Sequence, residues 1–157
     1  MSKRLVLLGG GHAHVQVLQA LAQEPLAGAE VLMVTPFMRQ MYSGMVPGLV
    51  AGHYTAPQCA IGLAPLAAAA RVRLVEGAAV RLDTAARAIH LADGRTAEYD
   101  ILSLDTGAVM DRQRLPGARE HGLFVRPIEH FVHLLDGLWE LAAQRVLDVV
   151  VVGGGAA

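Results

Sequence analysis

A short apolar run that ends in three glycines occurs twice in this chain. Leu5-Val6-Leu7-Leu8 leads into Gly9-Gly10-Gly11, and Val149-Val150-Val151-Val152 leads into Gly153-Gly154-Gly155, roughly one domain length further on. After the first run, Val15, Leu18, Leu21 and Ala22 recur at helical spacing, so the reading is strand, tight turn, helix. A second apolar run, Glu30 to Val34, follows a break at Pro25 and Gly28. It completes a βαβ unit and implies a parallel sheet.

A turn without side chains lets backbone approach a ligand, and the helix behind it presents N–H groups to an anion. The ligand class that fits is a dinucleotide, with its pyrophosphate against Gly9, Gly10 and Gly11 and the N–H groups of His12 and Ala13. The plain alternative is a strand-to-helix turn with no ligand. The same signature at Gly153 and Gly155 weighs against it. Two positions depart from the dinucleotide fingerprint. His14 stands where close helix-to-strand packing asks for Gly or Ala, and Thr35 stands where an acidic residue about 20 positions on would hold a ribose; Thr35, with Pro36 after it, remains a candidate cofactor-binding position that offers one weaker ribose contact. Glu30 has the right sequence distance but lies at the beginning of its strand, away from the carboxyl edge.

Between Thr35 and Pro57 there are three prolines, three glycines and three methionines without periodicity, which predicts a long loop with one helical turn near Gly48 to Ala51. A helix is predicted at Leu63 to Ala70, a strand at Val72 to Val75, and two alternating runs at Ala79 to Leu82 and Ala88 to Leu91. Asp93-Gly94 is a turn signal, so this stretch reads as a small antiparallel meander. Ile101 to Leu104 is a further strand, ending at Asp105-Thr106-Gly107. From Pro127 a helix places Ile128, Phe131, Val132, Leu135, Leu138, Trp139 and Ala142 on one face, and Val149 to Val152 reads as a fresh strand.

Composition narrows the function classes. The chain has 157 residues, 54 % of them hydrophobic, and its mean hydropathy is +0.41. No apolar run reaches the roughly 18 residues that span a bilayer. The excess therefore points to a sheet buried on both faces, or to apolar surface covered by other protein, including a second copy of the chain. With 13 basic and 14 acidic residues scattered along its length, the chain offers no footprint for nucleic acid or anionic lipid. The single cysteine, Cys59, excludes an internal disulfide and a Cys-x-x-Cys pair; its apolar neighbours mark it as a buried small hydrophobe. The start of the chain lacks a cleavage site and reads as a first strand, so a reducing, cytoplasmic setting is expected.

The residues Gly9 to His14, Tyr42 to Gly48 and Leu102 to Gly107 together resemble the FAD-dependent pyridine nucleotide-disulfide oxidoreductase superfamily, and within it the type II NADH dehydrogenase-like proteins associated with, or fused to, selenide, water dikinase. The resemblance covers the whole chain. It implies an α/β, Rossmann-like FAD-binding domain, with a parallel sheet, helices and a small antiparallel meander, over residues 1–146. Residues 147–157 would be the first strand and glycine turn of a truncated NAD(P)-binding domain. By the same resemblance Thr106 and Gly107 would touch FAD at a second strand end, Val80 would offer backbone to adenine, Tyr42 would lie near the flavin, and Gly153 and Gly155 would serve NAD(P)H. The superfamily's disulfide reductases carry a cysteine pair after the second strand; this loop has none, which argues against dithiol chemistry.

The function implied is passage of hydride from NAD(P)H to flavin and on to an acceptor, either a quinone or a selenium or sulfur compound. The cofactor performs the chemistry, so no catalytic side chain is assigned, and the fragment alone is expected to be inactive. One alternative is a non-catalytic nucleotide-binding module that regulates or scaffolds a partner such as selenide, water dikinase. Another, a single-domain NAD-dependent dehydrogenase, conflicts with the meander. No metal set is read: His12 and His14 point to different sides, and His130 and His133, with Glu129 and Asp136 nearby, read as a solvated or subunit-facing surface. Met38, Met41 and Met45 either line a cofactor pocket or fill gaps.

Overall fold

The computed structural model describes residues 2–153. In chain order the elements are β1 (Lys3–Leu8), α1 (His12–Gln23), β2 (Ala29–Thr35), β3 (Arg39–Met41), α2 (Val46–Val50), β4 (Ala60–Gly62), α3 (Leu63–Ala69), β5 (Arg73–Glu76), β6 (Ala79–Asp83), β7 (Ala88–Leu91), β8 (Thr96–Glu98), β9 (Ile101–Leu104), α4 (Ala118–His121) and α5 (Ile128–Gln144). Single 3-10 turns lie at Ser43–Met45 and Ala56–Cys59. The chain forms two compact units, one from residues up to Gln40 together with Ile61–Gly107, the other from Met41–Ala60 together with the residues from Ala108 onward.

The first unit is layered around a parallel sheet of order β5-β2-β1-β9. In the register, Leu5 to Leu8 pair with Val31 to Val34 on one side and with Ile101 to Leu104 on the other. A central parallel strand is buried on both faces and must be apolar at consecutive positions; Val6, Leu7 and Leu8 are all buried. Because successive side chains alternate faces, β1 and β2 build two cores. Leu7, Val31 and Met33 pack with Val15 and Leu18 of α1 and with Leu63 and Ala67 of α3. Val6, Leu8, Leu32 and Val34 pack with Ile89, Leu91 and Tyr99 of the meander region.

The meander has three strands, β6-β7-β8, where the sequence showed two. β8 is the short polar run Thr96–Glu98, whose pairing with β7 is antiparallel, and a three-residue edge strand carries no alternation strong enough to read. The predicted long loop is also more ordered than expected, holding β3, α2 and both 3-10 turns.

In the second unit Met41, Val46, Leu49 and Cys59 pack with Ile128, Phe131 and Leu135 of α5. Cys59 is 1 % exposed, a buried apolar filler. The apolar face of α5 is wider than its packed stripe, since Trp139 remains 48 % exposed. The strand predicted at Val149 to Val152 is absent from every sheet among the described residues. Its valines are 66–84 % exposed; a strand takes its hydrogen bonds from a neighbour, and no sheet supplies one here.

Candidate cofactor site at the carboxyl edge of the parallel sheet

In the order β5-β2-β1-β9 the chain steps from β1 to β2 on one side, while β9 joins β1 on the other. Parallel sheets take ligands beyond the carboxyl ends of their strands at such a reversal. Two loops meet there, residues 9–11 after β1 and residues 105–107 after β9. They continue the pairing of the strands behind them: Gly9 N–H donates to Val34 O at 2.7 Å, Asp105 N–H to Leu8 O at 2.8 Å, and Gly11 N–H to Asp105 O at 3.1 Å.

This closeness explains the glycines. Gly9 adopts φ +95°, and a Cβ there would stand 2.5 Å from the Asp105 carbonyl carbon and 2.7 Å from the Thr106 Cα. A Cβ on Gly11 would overlap the Asp105 carboxylate, and one on Gly10 would meet Leu63 Cδ1 at 2.5 Å. The missing side chains at 9 and 11 thus make room for the end of β9. Open ground lies beside them at Gly107, which has φ +77° and nothing within 4 Å of its absent Cβ. Thr106, Ala13 and Pro36 are exposed along the same edge.

Asp105 was not singled out from sequence, although it stands inside the Leu102 to Gly107 run. Helix α1 begins with Gly11 at its N-cap, which has no side chain to close the first turn. Asp105 Oδ2 does so instead, accepting the N–H of His14 at 3.0 Å. A carboxylate also suits the positive end of the helix dipole.

His14 is 1 % exposed. Its Nδ1 lies 2.7 Å from Gly9 O and its Nε2 2.9 Å from Ser103 Oγ. A carbonyl oxygen only accepts, so Nδ1 carries a proton toward Gly9 O, while Nε2 shares a hydrogen bond with the Ser103 hydroxyl. Both ring nitrogens are engaged within the fold, so His14 does more than occupy the packing position read from sequence. Thr35 is 2 % exposed, and its Oγ1 closes a local turn with the backbone of Phe37, at 3.4 Å to N and 3.3 Å to O.

Of the residues singled out from sequence, Gly9 to Ala13, Thr35, Pro36, Thr106 and Gly107 all belong to this edge of the first unit. Val80 lies on β6 and is 67 % exposed. Tyr42 and Gly153 belong to the second unit; the Tyr42 ring lies over Gly44, and Gly153 has φ +109°. Gly154 and Gly155 lie outside the described residues. Among the described residues no group of three or more His, Cys, Asp or Glu is placed to hold a metal ion, and no helix is long and apolar enough to cross a membrane.

The family model described as pyridine nucleotide-disulphide oxidoreductase matches residues 3–157. Two curated sequences are similar over 98 % of this chain: the "Probable ferredoxin reductase CtmF" of Castellaniella defragrans, 28 % identical over 37 % of its own length, and the mitochondrial "External alternative NAD(P)H-ubiquinone oxidoreductase B4" of Arabidopsis thaliana, 25 % identical over 30 % of its length. The chain thus spans about a third of the curated relatives it matches. Among solved structures, NDH2 of Plasmodium falciparum in complex with NADH superposes with a TM-score of 0.74 at 13 % identity, covering 92 % of this chain and 30 % of that one. The sulfide:quinone oxidoreductase of Aquifex aeolicus gives a TM-score of 0.69 at 21 % identity, covering 90 % and 33 %. The fold is that of the Rossmann-like FAD-binding domains of such oxidoreductases.

Proposed function

The chain belongs to the pyridine nucleotide-disulphide oxidoreductase family, and from that premise we propose that it is the FAD-binding portion of a flavoprotein oxidoreductase that passes hydride from NAD(P)H to flavin and on to an acceptor. The observation that carries this reading is the pair of loops at the sheet reversal, where the amino end of α1 adjoins an open, side-chain-free backbone at Gly107.

The residues present fit a dinucleotide. Backbone at Gly10 to Ala13 would hold the diphosphate at the start of α1, and the exposed Thr106 and Gly107 would hold the cofactor from β9. The flavin, when bound, supplies the hydride-accepting centre. The work of this chain is to bind and orient it, and the buried floor of Leu8, Val34 and Thr35 keeps water from beneath the turn. Gly153 and Gly155 would serve the nicotinamide nucleotide, and Tyr42 the flavin end.

For the acceptor the reading is a quinone or a selenium or sulfur compound, with selenide, water dikinase as partner. Its support is the resemblance carried by residues 9–14, 42–48 and 102–107; the names of the curated relatives support ferredoxin and ubiquinone for those proteins. The purified chain, mixed with FAD and desalted, should be yellow with the flavin absorption bands. A colourless chain that gives no flavin fluorescence change on titration would sink the reading.

A further inference from the structure

We infer, resting on the cofactor reading above, that His14 is a positioning residue of that site: with Nδ1–H donating to Gly9 O, its ring fixes the Gly9–Gly10 peptide against β9 and so sets the turn that faces the diphosphate. The dinucleotide fingerprint asks for the smallest residues at this position because α1 must pack closely on the strand. Here an imidazole stands there, almost fully buried, and it is bonded at three points. Nδ1–H reaches Gly9 O at 2.7 Å, Nε2 pairs with the Ser103 hydroxyl at 2.9 Å, and the backbone N–H of His14 goes to Asp105 Oδ2 at 3.0 Å.

The bond to Gly9 O has a reach beyond its two atoms. A peptide is planar, so fixing the Gly9 carbonyl also fixes the direction of the Gly10 N–H on the opposite side of that plane. Gly9 has φ +95°, and a glycine with no Cβ has little intrinsic preference to keep the plane where it is. The Gly9 N–H is tied to Val34 O at 2.7 Å, which holds the preceding peptide and not this one. The Gly11 N–H, bonded to Asp105 O at 3.1 Å, holds the following peptide, and the imidazole is the side-chain restraint on the one between. Through Ser103 it also references the crest of the turn to β9, the strand that carries Thr106 and Gly107. A glycine or alanine at position 14 satisfies packing and offers Gly9 O no side-chain donor.

The test uses the whole chain with FAD as the probe, under conditions where circular dichroism shows each variant folded. His14→Leu, apolar and of similar size, should weaken FAD binding about tenfold, the weight of one lost hydrogen bond. His14→Asn keeps a donor where Nδ1 stands and should stay within about threefold of the unaltered chain. Imidazole nitrogen NMR of the unaltered chain should place the His14 proton on Nδ1. An Nε2–H tautomer, equal FAD affinity in His14→Leu, or a His14→Asn variant as weak as His14→Leu each overturns the inference while the unaltered chain still binds flavin. An unaltered chain that takes up no flavin overturns the cofactor reading, and this inference with it.

Discussion

Asp105 Oδ2 lies 3.0 Å from the backbone nitrogen of His14, so a carboxylate at the end of β9 caps a helix that begins 93 residues earlier in numbering, at His12. The Gly11 N-cap cannot supply this contact itself. Asp105→Ala should therefore lower stability by about 1 kcal/mol, the usual worth of a helix cap. Asp105→Asn, which keeps an oxygen in place, should lose less. Urea unfolding of the three chains measures both, and an Asp105→Ala chain as stable as the unaltered one would remove the cap from the account.

Gly9→Ala and Gly11→Ala should differ in whether they can be rescued. At position 9 the new Cβ meets backbone of Asp105 and Thr106 and sits at φ +95°, so a loss of about 3 kcal/mol is expected in any background. At position 11 φ is an ordinary −66° and the obstacle is the Asp105 side chain. Gly11→Ala should be costly alone and nearly neutral in an Asp105→Ala background. A double-mutant cycle reads the coupling; additive losses would contradict the contact.

Gly107 separates conformation from space. Its φ of +77° penalises an alanine by about 1 to 2 kcal/mol, yet nothing lies near the new methyl in the folded chain. Gly107→Asn, more tolerant of left-handed backbone, should cost less stability than Gly107→Ala. Both should reduce FAD uptake by a similar factor if the open ground there is where the cofactor approaches. Thermal unfolding and flavin titration side by side distinguish the two effects.

Acid sensitivity should show in the meander. Asp93 is held below the usual carboxylate range by the Arg95 side chain and then by the Arg95 N–H, and Asp83 by the N–H of Ala86 before all else. A carboxylate with a lowered folded value contributes stability that is fully present above its ordinary value and is lost as pH falls through the lowered one. Asp93 is exposed and Asp83 only half-buried, so the effect is small. The variants Asp83→Asn and Asp93→Asn should melt slightly lower than the unaltered chain at pH 7, and the curves should converge below about pH 3. A difference that persists or grows in acid would reverse the assigned sign.

The strands and helices of the first unit were legible because each is announced by a local pattern. Leu5 to Leu8 is apolar at every position because β1 is covered on both faces, and Asp93-Gly94 marks the turn between β7 and β8. What escaped had weak local signal or needed a partner. Thr96–Glu98 is a strand only because β7 lies beside it, and Val149 to Val152, strongly strand-like by composition, has no sheet partner among the described residues.

The candidate site divides in the same way. Three glycines between an apolar run and a helical period announce a side-chain-free bend wherever they are read, since backbone freedom is a property of the residue itself. What those glycines face is decided in three dimensions. Asp105 approaches Gly9 and Gly11, and Ser103 approaches His14, only after β9 has paired with β1. The contacts join residues 89 to 96 positions apart, beyond any periodicity a linear reading can hold. Composition and spacing thus determined that a strand, a bare bend and a helix would form; the docking of a distant strand determined which groups fill the bend and which stretch of backbone stays open.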